Sequence, residues 1–483
     1  MNRVVTYLGY LLLISTVFRL IPVAVAITLG EAIAPFLVVM FLSIVIGCLC
    51  LLVGLFSKIT ERPQEKGPLT FFESILLTVI FFVLLSFISS ISYMPYLSGP
   101  FSQRLLDALL ESVSGYTTTG LSILPNIDFL PESLLVWRAM TQWIGGLGIV
   151  ILFVFLLTKW RSGQDRPEVQ ERSISTLSSL YRSQGHTERI APTIERTALT
   201  LLCIYSFYTL IGVIALLLAG LPFLDALGMS FVSISTGGFS MQYFFYDSPV
   251  VLTILCVLML LGSISFVAHN DMLRGRWKTL ASNVELQFMF SLLSIGLIIA
   301  TIFYPKFWEL LFHFISAFTT TGFSYVDIAA YPLIPLFLMV IFMIIGGSIG
   351  STAGGLKIYR FIISLTGVSW VLKKISRPSS AVTPIRIKKD VLEEEELLLV
   401  QAFGVTFMIF LFLSTFIFLL GGLEVKDAVF LSASSLSTVG LSTTSVAALP
   451  ALAKIILILN MILGRLEVFP VLVVLRRLFF PFR

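Results

Sequence analysis

The stretch Thr117–Ser122 reads TTTGLS, and three near copies of it follow along the chain. The copies are Ser235–Ser240 (STGGFS), Thr319–Ser324 (TTTGFS) and Ser437–Ser442 (STVGLS). Their shared glycines, Gly120, Gly238, Gly322 and Gly440, are separated by 118, 84 and 118 residues. One such stretch would be an ordinary Ser/Thr-Gly turn between two helices. Four copies predict a pseudo-fourfold assembly, and a ring of four equivalent backbone segments can hold a cation inside a membrane protein.

An acidic residue precedes each of these glycines by thirteen positions. The four acids are Asp107, Asp225, Glu309 and Asp427. Each stretch from acid to glycine is too short to span a bilayer and too apolar for a free loop. We interpret each as a re-entrant half-helix that begins at the acid, where a carboxylate can cap free N–H groups and complement the helix dipole. Capping is favoured over ion binding by the acids. The negative end of each half-helix would then face the membrane centre, which suits a cation.

The composition indicates a membrane protein. The chain of 483 residues is 57% hydrophobic and 12% charged, whereas ordinary globular domains are roughly 25% charged. Apolar runs long enough to cross the hydrocarbon core recur throughout the sequence. They lie near residues 5–28, 33–57, 70–93, 133–158, 196–220, 249–271, 284–304, 333–372, 396–421 and 450–475. We interpret the first run as a retained helix, with a signal peptide as the alternative.

Basic residues indicate the orientation in the membrane. They cluster within residues 58–66, 159–189, 274–278, 373–389 and 476–483. The positive-inside rule therefore places both termini in the cytoplasm and all four glycine stretches toward the outside. Two spans separate each glycine stretch from the next, so the repeated units are parallel. That arrangement favours a central pore over a carrier built on inverted repeats. The net charge of +5 is then a signal of topology and gives no indication of nucleic-acid binding.

A glycine-rich segment interrupts the apolar run 333–372. It contains Gly346, Gly347, Gly350, Gly354 and Gly355, interleaved with serine and threonine. Each glycine lowers helix stability by about 1 kcal/mol relative to alanine, so an unwound segment within the membrane is expected there. Such a segment can open or close a pathway, whereas the alternative is close helix packing through small residues.

Arg465 is a charged residue within the last apolar run. It lies 25 residues after Gly440, and the same count from the other three glycines reaches Gly145, Ser263 and Gly347. An arginine at this depth is costly and usually faces water or a partner. We favour a guanidinium that points into the pore, and an ion pair with Glu467 is the alternative.

Two further segments give the chain a family resemblance. Together with the four repeats, Thr141–Gly148 (TQWIGGLG) and Ile345–Lys357 (IGGSIGSTAGGLK) resemble the Trk/Ktr/HKT superfamily of K⁺ transporters. Two helices ahead of the first repeat make the chain similar to the TrkH branch, the bacterial Trk system potassium uptake proteins. The resemblance implies an all-α polytopic membrane protein in which four pseudo-repeats of helix, re-entrant pore loop and helix surround a central pore. The expected divisions are 1–66 for the two N-terminal helices and 67–165, 166–278, 279–378 and 379–483 for the repeats.

The resemblance also implies which residues act on the ion. The expected K⁺ filter comprises Thr118, Thr119, Gly120, Thr236, Gly237, Gly238, Thr320, Thr321, Gly322, Thr438, Val439 and Gly440. The expected gate comprises Gly346, Gly347, Gly350, Gly354, Gly355 and Arg465. K⁺ would be the transported ion, and no cofactor is expected on this chain. The implied setting is the bacterial cytoplasmic (inner) membrane, as a homodimer regulated by a cytosolic ring of nucleotide-binding RCK-type subunits.

Two other classes of protein are alternatives to this interpretation. A polytopic membrane enzyme requires clustered acids, histidines or arginines at one membrane face, and the sequence has no such cluster. A voltage-sensing channel requires a helix with arginine at every third position, and no apolar run contains one. The sequence therefore predicts a transport protein that is not an enzyme.

Overall fold

The computed structural model describes residues 2–60, 69–124, 127–161, 194–242, 248–378, 384–388 and 390–479. Most of the basic segment 159–189, together with Arg62, Lys66 and Arg483, lies outside these residues. Helices dominate the described part because a helix satisfies its own backbone hydrogen bonds, as a lipid environment demands.

Three helices precede the first of four repeated units. They are α1 (Asn2–Phe18), α2 (Leu20–Leu29) and α3 (Ala34–Thr60). The break between α1 and α2 falls at Arg19, whose buried guanidinium donates hydrogen bonds to Ser15 Oγ at 3.2 Å and Ser89 Oγ at 2.8 Å. Because α1 and α2 together form one candidate span of 28 residues, the expectation of two N-terminal membrane helices is met.

Four units of helix, short helix and helix follow. The first contains α4 (Phe71–Ser90), α5 (Phe101–Tyr116) and α6 (Glu132–Arg161), and the second contains α7 (Ile194–Leu218), α8 (Phe223–Ile234) and α9 (Pro249–Ser263), followed by α10 (Phe266–Leu273) and α11 (Trp277–Ala281). The third contains α12 (Val284–Phe303), α13 (Phe307–Phe318) and α14 (Leu333–Ile345), followed by α15 (Ile358–Ile375). The fourth contains α16 (Glu394–Leu420), α17 (Val425–Leu436) and α18 (Ala451–Arg465), followed by α19 (Val468–Phe479).

A short antiparallel hairpin precedes α16. Its strands are β1 (Ile385–Ile387) and β2 (Asp390–Leu392), with Ile385 opposite Leu392. Glu394, Glu395 and Glu396 form the first turn of α16, where their carboxylates complement the positive end of the helix dipole.

Length and composition qualify six helices in the described ranges as membrane spans, or up to eight if two bent pairs are counted as one span each. The pairs are α9 with α10, bent by 109°, and α18 with α19, bent by 104°. The apolar runs 249–271 and 450–475 are therefore each divided between two helices. Consequently Arg465 is the last residue of α18 and sits at a helix end rather than within a helix.

The short helices α5, α8, α13 and α17 form the buried centre of the four units. Their C-terminal halves are polar for a protein interior, with fully buried Ser114, Ser233, Ser316 and Ser434. Ser233, for example, donates to Met229 O at 2.7 Å in the preceding turn, which satisfies the hydroxyl without an external partner. These helices therefore bring polar backbone ends to the middle of an apolar protein.

Candidate ion pathway

Each short helix ends one residue before its Ser/Thr-Gly stretch, and the four stretches then share one backbone conformation. The threonine at the second position of every stretch has a positive φ, 52° at Thr118, Thr236 and Thr438 and 55° at Thr320. The following glycines have φ of 88°, 84°, 87° and 93° in chain order. A positive φ is uncommon for a β-branched residue, so its fourfold recurrence shows that the surrounding packing enforces this conformation. We refer to these stretches as loops 1 to 4.

The four loops approach one another in a closed cycle at their glycines. A Cβ on each glycine would overlap the carbonyl oxygen just before the next loop's glycine. The overlaps are Gly120 with Gly237 O, Gly238 with Thr321 O, Gly322 with Val439 O, and Gly440 with Thr119 O. The last overlap returns to the first loop, so the four loops form a ring. Only a hydrogen fits on the α-carbon at these positions, and this explains why all four are glycine.

The ring is regular in its backbone but alternates in its side chains. In loops 1 and 3, the third-position threonine bonds the first at 2.8 Å, Thr119 with Thr117 and Thr321 with Thr319. Loops 2 and 4 carry Gly237 and Val439 at the third position and cannot form this pair. The third positions are therefore unequal in structure as well as in sequence.

The four acids lie near the beginnings of the short helices but do not cap them. The N-cap positions are Pro100, Pro222, Lys306 and Glu424, and none makes a side-chain cap hydrogen bond. Asp225, Glu309 and Asp427 lie in the first helical turn, whereas Asp107 is the seventh residue of α5. The prediction that the four acids cap these helices was therefore wrong, although the three carboxylates in the first turn can still complement the helix dipole.

Each acid instead has a specific partner. Asp107 accepts from Lys454 Nζ at 2.8 Å, and both side chains are buried. Asp225 accepts from Gln242 Nε2 at 2.7 Å, and Asp427 accepts from Thr443 Oγ1 at 2.6 Å. Glu309 accepts from Tyr304 OH at 2.8 Å and pairs with Lys306 at 2.9 Å. Three of the acids thus bind chain segments beside their own helix, and Asp107 joins the first unit to the fourth.

The glycine-rich segment is unwound over residues 346–357, between α14 and α15, as the glycine content predicted. Backbone bonds attach it to the second unit, with Ser348 N donating to Ser263 O at 3.0 Å and Phe266 N donating to Gly350 O at 2.9 Å. Thr352 Oγ1 lies 2.9 Å from both Ile234 O and Gly262 O. The segment therefore lies against the end of short helix α8.

The same segment also contacts three of the loops. Thr236 Oγ1 of loop 2 donates to Thr352 Oγ1 at 3.4 Å. Gly354 N donates to Thr320 Oγ1 of loop 3 at 2.6 Å. A Cβ on Gly354 would overlap Ser437 O and Thr438 Oγ1 of loop 4. The unwound segment is thus packed directly on the ring of loops, and its glycines permit that close approach.

Arg465 joins this segment to two other units. Its Nη1 donates to Thr352 O at 2.7 Å, and its Nη2 donates to Gly145 O at 2.9 Å and Gly146 O at 3.2 Å. Arg465 and Gly145 each lie 25 residues after the glycine of their own loop, and the structure brings these two equivalent positions into contact. The carboxylate of Glu467, proposed as the alternative partner of Arg465, pairs with Arg360 at 2.8 Å.

The structure also assigns contacts that the sequence did not predict. Arg138 and Gln142 of α6 bond to loop 2, Lys454 bonds to Asp107, and Thr352 anchors the unwound segment. A polar or charged side chain within an otherwise apolar run was the available signal for the first three. Among the residues that the structure describes, no group of three or more His, Cys, Asp or Glu side chains could hold a metal ion. The four loops themselves carry only backbone and hydroxyl oxygens.

Comparison with known proteins gives a consistent result. Residues 44–303 and 304–481 match the TrkH family, described as cation transport protein. An uncharacterized cation transporter of Methanocaldococcus jannaschii is 33% identical over 98% of this chain and 95% of its own length. The Trk system potassium uptake protein TrkH of Halomonas elongata is 30% identical over 98% of both chains. The crystal structure of the potassium transporter TrkH from Vibrio parahaemolyticus superposes with a TM-score of 0.82, at 25% identity and 99% coverage of both chains.

Proposed function

Because this chain belongs to the TrkH family of cation transport proteins, we propose that it takes up K⁺ selectively across the cytoplasmic membrane. Membership makes it a multi-pass membrane transporter and not an enzyme, in agreement with the sequence prediction. The choice of K⁺ is supported by relatives that are named potassium uptake proteins and match 85% or more of this chain at 30% identity or more.

The ring of loops is the proposed selectivity filter. The observation that carries this proposal is the closed cycle in which every glycine faces the carbonyl oxygen of the next loop. Twelve residues would form the filter. They are Thr118, Thr119, Gly120, Thr236, Gly237, Gly238, Thr320, Thr321, Gly322, Thr438, Val439 and Gly440. A filter of backbone oxygens replaces the hydration shell of the ion, and the four helix C-termini add negative dipole ends beside it.

The membrane potential is a sufficient driving force for moderate accumulation. One positive charge that moves inward across 100 mV releases about 2.3 kcal/mol, which corresponds to roughly fiftyfold accumulation. A gated K⁺ pathway therefore needs no second ion to concentrate K⁺ to this extent.

The unwound segment and Arg465 are the proposed gate. The gate residues would be Gly346, Gly347, Gly350, Gly354, Gly355 and Arg465. Support comes from the bonds that tie Thr352 to α8 and to Arg465. These bonds join Thr352 of the third unit to the second and the fourth units. Both must therefore break if the segment is to move away from its neighbours. A fixed positive charge in the same place also opposes the passage of cations, since screening is weak in a medium of low dielectric constant.

The proposed setting is the bacterial cytoplasmic (inner) membrane, with both termini in the cytoplasm. The distribution of basic clusters supports this orientation. We also propose a homodimer that is regulated by a cytosolic ring of RCK-type nucleotide-binding subunits. The name "Trk system", carried by several relatives, is consistent with a transporter that has further components.

Ion flux into liposomes tests the proposed function. Purified protein is reconstituted, and uptake of K⁺, Rb⁺ and Na⁺ is compared under the same imposed potential. We expect K⁺ and Rb⁺ to enter much faster than Na⁺, with no uptake into empty liposomes. Equal rates for Na⁺ and K⁺ would refute the assignment of K⁺ selectivity.

A further inference from the structure

One side chain of the first unit clamps the filter glycine of the second. Gln142 of α6 donates through Nε2 to Gly237 O at 2.6 Å, and its Oε1 accepts from Phe239 N at 3.1 Å. The two peptide groups on either side of Gly238 are therefore held by one amide. The pairing also fixes the orientation of that amide, because one end must donate and the other must accept.

The same contact explains the sequence of loop 2. Its third position is Gly237, where the other loops carry threonine or valine. A Cβ on Gly237 would overlap the Gln142 side chain, and the φ of Gly237 is not among the positive values. Glycine is thus required here by the neighbour rather than by the backbone. Gln142 and Gly237 form a matched pair across two units.

The other units lack an equivalent of this pair. Gln142 lies 22 residues after its filter glycine, and the same count reaches Leu260, Ile344 and Ile462 in the later units. These aliphatic side chains have no polar atom and cannot clamp a peptide group. The support of the filter is therefore asymmetric, although the backbone of the ring is nearly fourfold.

Arg138, one helical turn before Gln142, extends the contact to loop 1. Its guanidinium bonds to Glu111 Oε1 of α5 at 2.8 Å and to Ser122 Oγ of loop 1 at 3.0 Å. It also donates to Ser240 O of loop 2 at 3.3 Å and lies over the Phe239 ring, 4.1 Å from its centroid. Residues four apart share one helix face, so a single face of α6 holds loops 1 and 2 together.

We propose that Gln142 is a positioning residue for ion selectivity. It fixes the backbone on both sides of Gly238, so that loop 2 cannot relax around a smaller ion such as Na⁺. Since one hydrogen bond is committed to Gly237 O, this carbonyl is also less free to turn than its counterparts Thr119 O, Thr321 O and Val439 O. The inference rests on the proposed filter function and adds a residue that lies outside the filter itself.

The central test is Gln142→Met, which conserves length and volume but removes both hydrogen bonds. We expect the ratio of K⁺ to Na⁺ flux in liposomes to fall about tenfold, which corresponds to about 1.4 kcal/mol of lost discrimination between the two ions. The matched control is Leu260→Met, a volume-conserving change at the same count in the second unit, which should leave the ratio within about twofold of wild type. If Gln142→Met is poorly folded, Gln142→Leu serves the same test, because leucine has no polar atom to replace either hydrogen bond and stands at the same count in the second unit.

A second measurement tests the matched pair by folding. Gly237→Ala should lower the yield of folded protein, and the double change Gly237→Ala with Gln142→Ala should recover part of the yield but not the selectivity, because the overlap with the Gln142 amide is removed while the Cβ of residue 142 stays within 2.9 Å of the added Cβ. A restored ratio in the double variant would overturn the positioning role. A selective wild type with an unchanged ratio in Gln142→Met would overturn this inference alone, whereas an unselective wild type would overturn the proposed function together with it.

Discussion

Arg465→Ala should increase the maximal K⁺ flux of this protein. The side chain donates one charge-assisted hydrogen bond to the unwound segment, at Thr352 O, and two to α6, at Gly145 O and Gly146 O. Hydrogen bonds to charged groups contribute about 1.5–3 kcal/mol each. If the bond to Thr352 O breaks when the segment moves aside, its loss shifts the balance between closed and open states by about ten- to hundredfold.

The assay compares flux and thermal stability for three purified proteins in the same liposomes. Arg465→Ala should raise K⁺ flux while the ratio of K⁺ to Na⁺ flux stays near that of wild type, because the ring of glycines is unchanged. Arg465→Lys is the matched control. It keeps the charge but cannot present the planar fork of donors that reaches three carbonyl groups, so its flux should lie between the other two. The melting temperature of Arg465→Ala should fall, because buried carbonyl groups lose their partner.

Flux of the folded Arg465→Ala protein decides between the two roles proposed for this residue. Unchanged or reduced flux in protein that elutes and melts as a single species would remove Arg465 from the conduction pathway. The side chain would then be a purely structural link between α18 and α6. A changed ion ratio with unchanged flux would contradict the separation of gate and filter.

The contacts of the ring, the short helices and the unwound segment give three further predictions. Gly440→Ser and Gly322→Ser should each lower the ratio of K⁺ to Na⁺ flux, because the new Cβ overlaps a carbonyl of the next loop; unchanged ratios in both variants would contradict the filter assignment. Lys454→Ala should reduce the free energy of unfolding by about 3–5 kcal/mol, because Asp107 would remain buried without its partner. Thermal unfolding measures this loss, and the double variant Lys454→Met with Asp107→Asn is the control. Gly347→Ala should alter the rate of K⁺ flux without altering ion choice, because its Cβ would overlap Ala353 of the same segment rather than a loop; a changed ratio would place this segment in the filter.

The repeated motif made the centre of the fold predictable. Four polar Gly-containing stretches in an apolar chain have few other uses, and the short helices that end at Tyr116, Ile234, Phe318 and Leu436 were expected. The distance from acid to glycine was less informative about the helix beginnings. Asp107 has the same offset as the other acids, yet α5 begins six residues earlier, at Phe101.

The bends and cross-unit contacts could not be predicted from the sequence. Small and polar residues do occur at both breaks, GSIS at 262–265 and GRLE at 464–467, but they do not specify bends of 109° and 104°. Those breaks depend on distant partners, such as Gly350 O for Phe266 N and Arg360 for Glu467. The partners of Gln142 likewise lie 95 and 97 residues away, beyond the reach of any local pattern.

The ring of loops has a handedness that a fourfold symmetric picture conceals. A Cβ added to any of the four glycines would overlap the carbonyl of the following loop rather than that of the preceding one. The contacts between loops therefore run in one direction around the axis. The damage from a larger residue in one loop is therefore felt first by its downstream neighbour. Second-site suppressors of a change at Gly238 belong in loop 3, and those of a change at Gly440 belong in loop 1. Genetic interactions within this single chain should consequently follow a circular order that the linear order of its residues does not show.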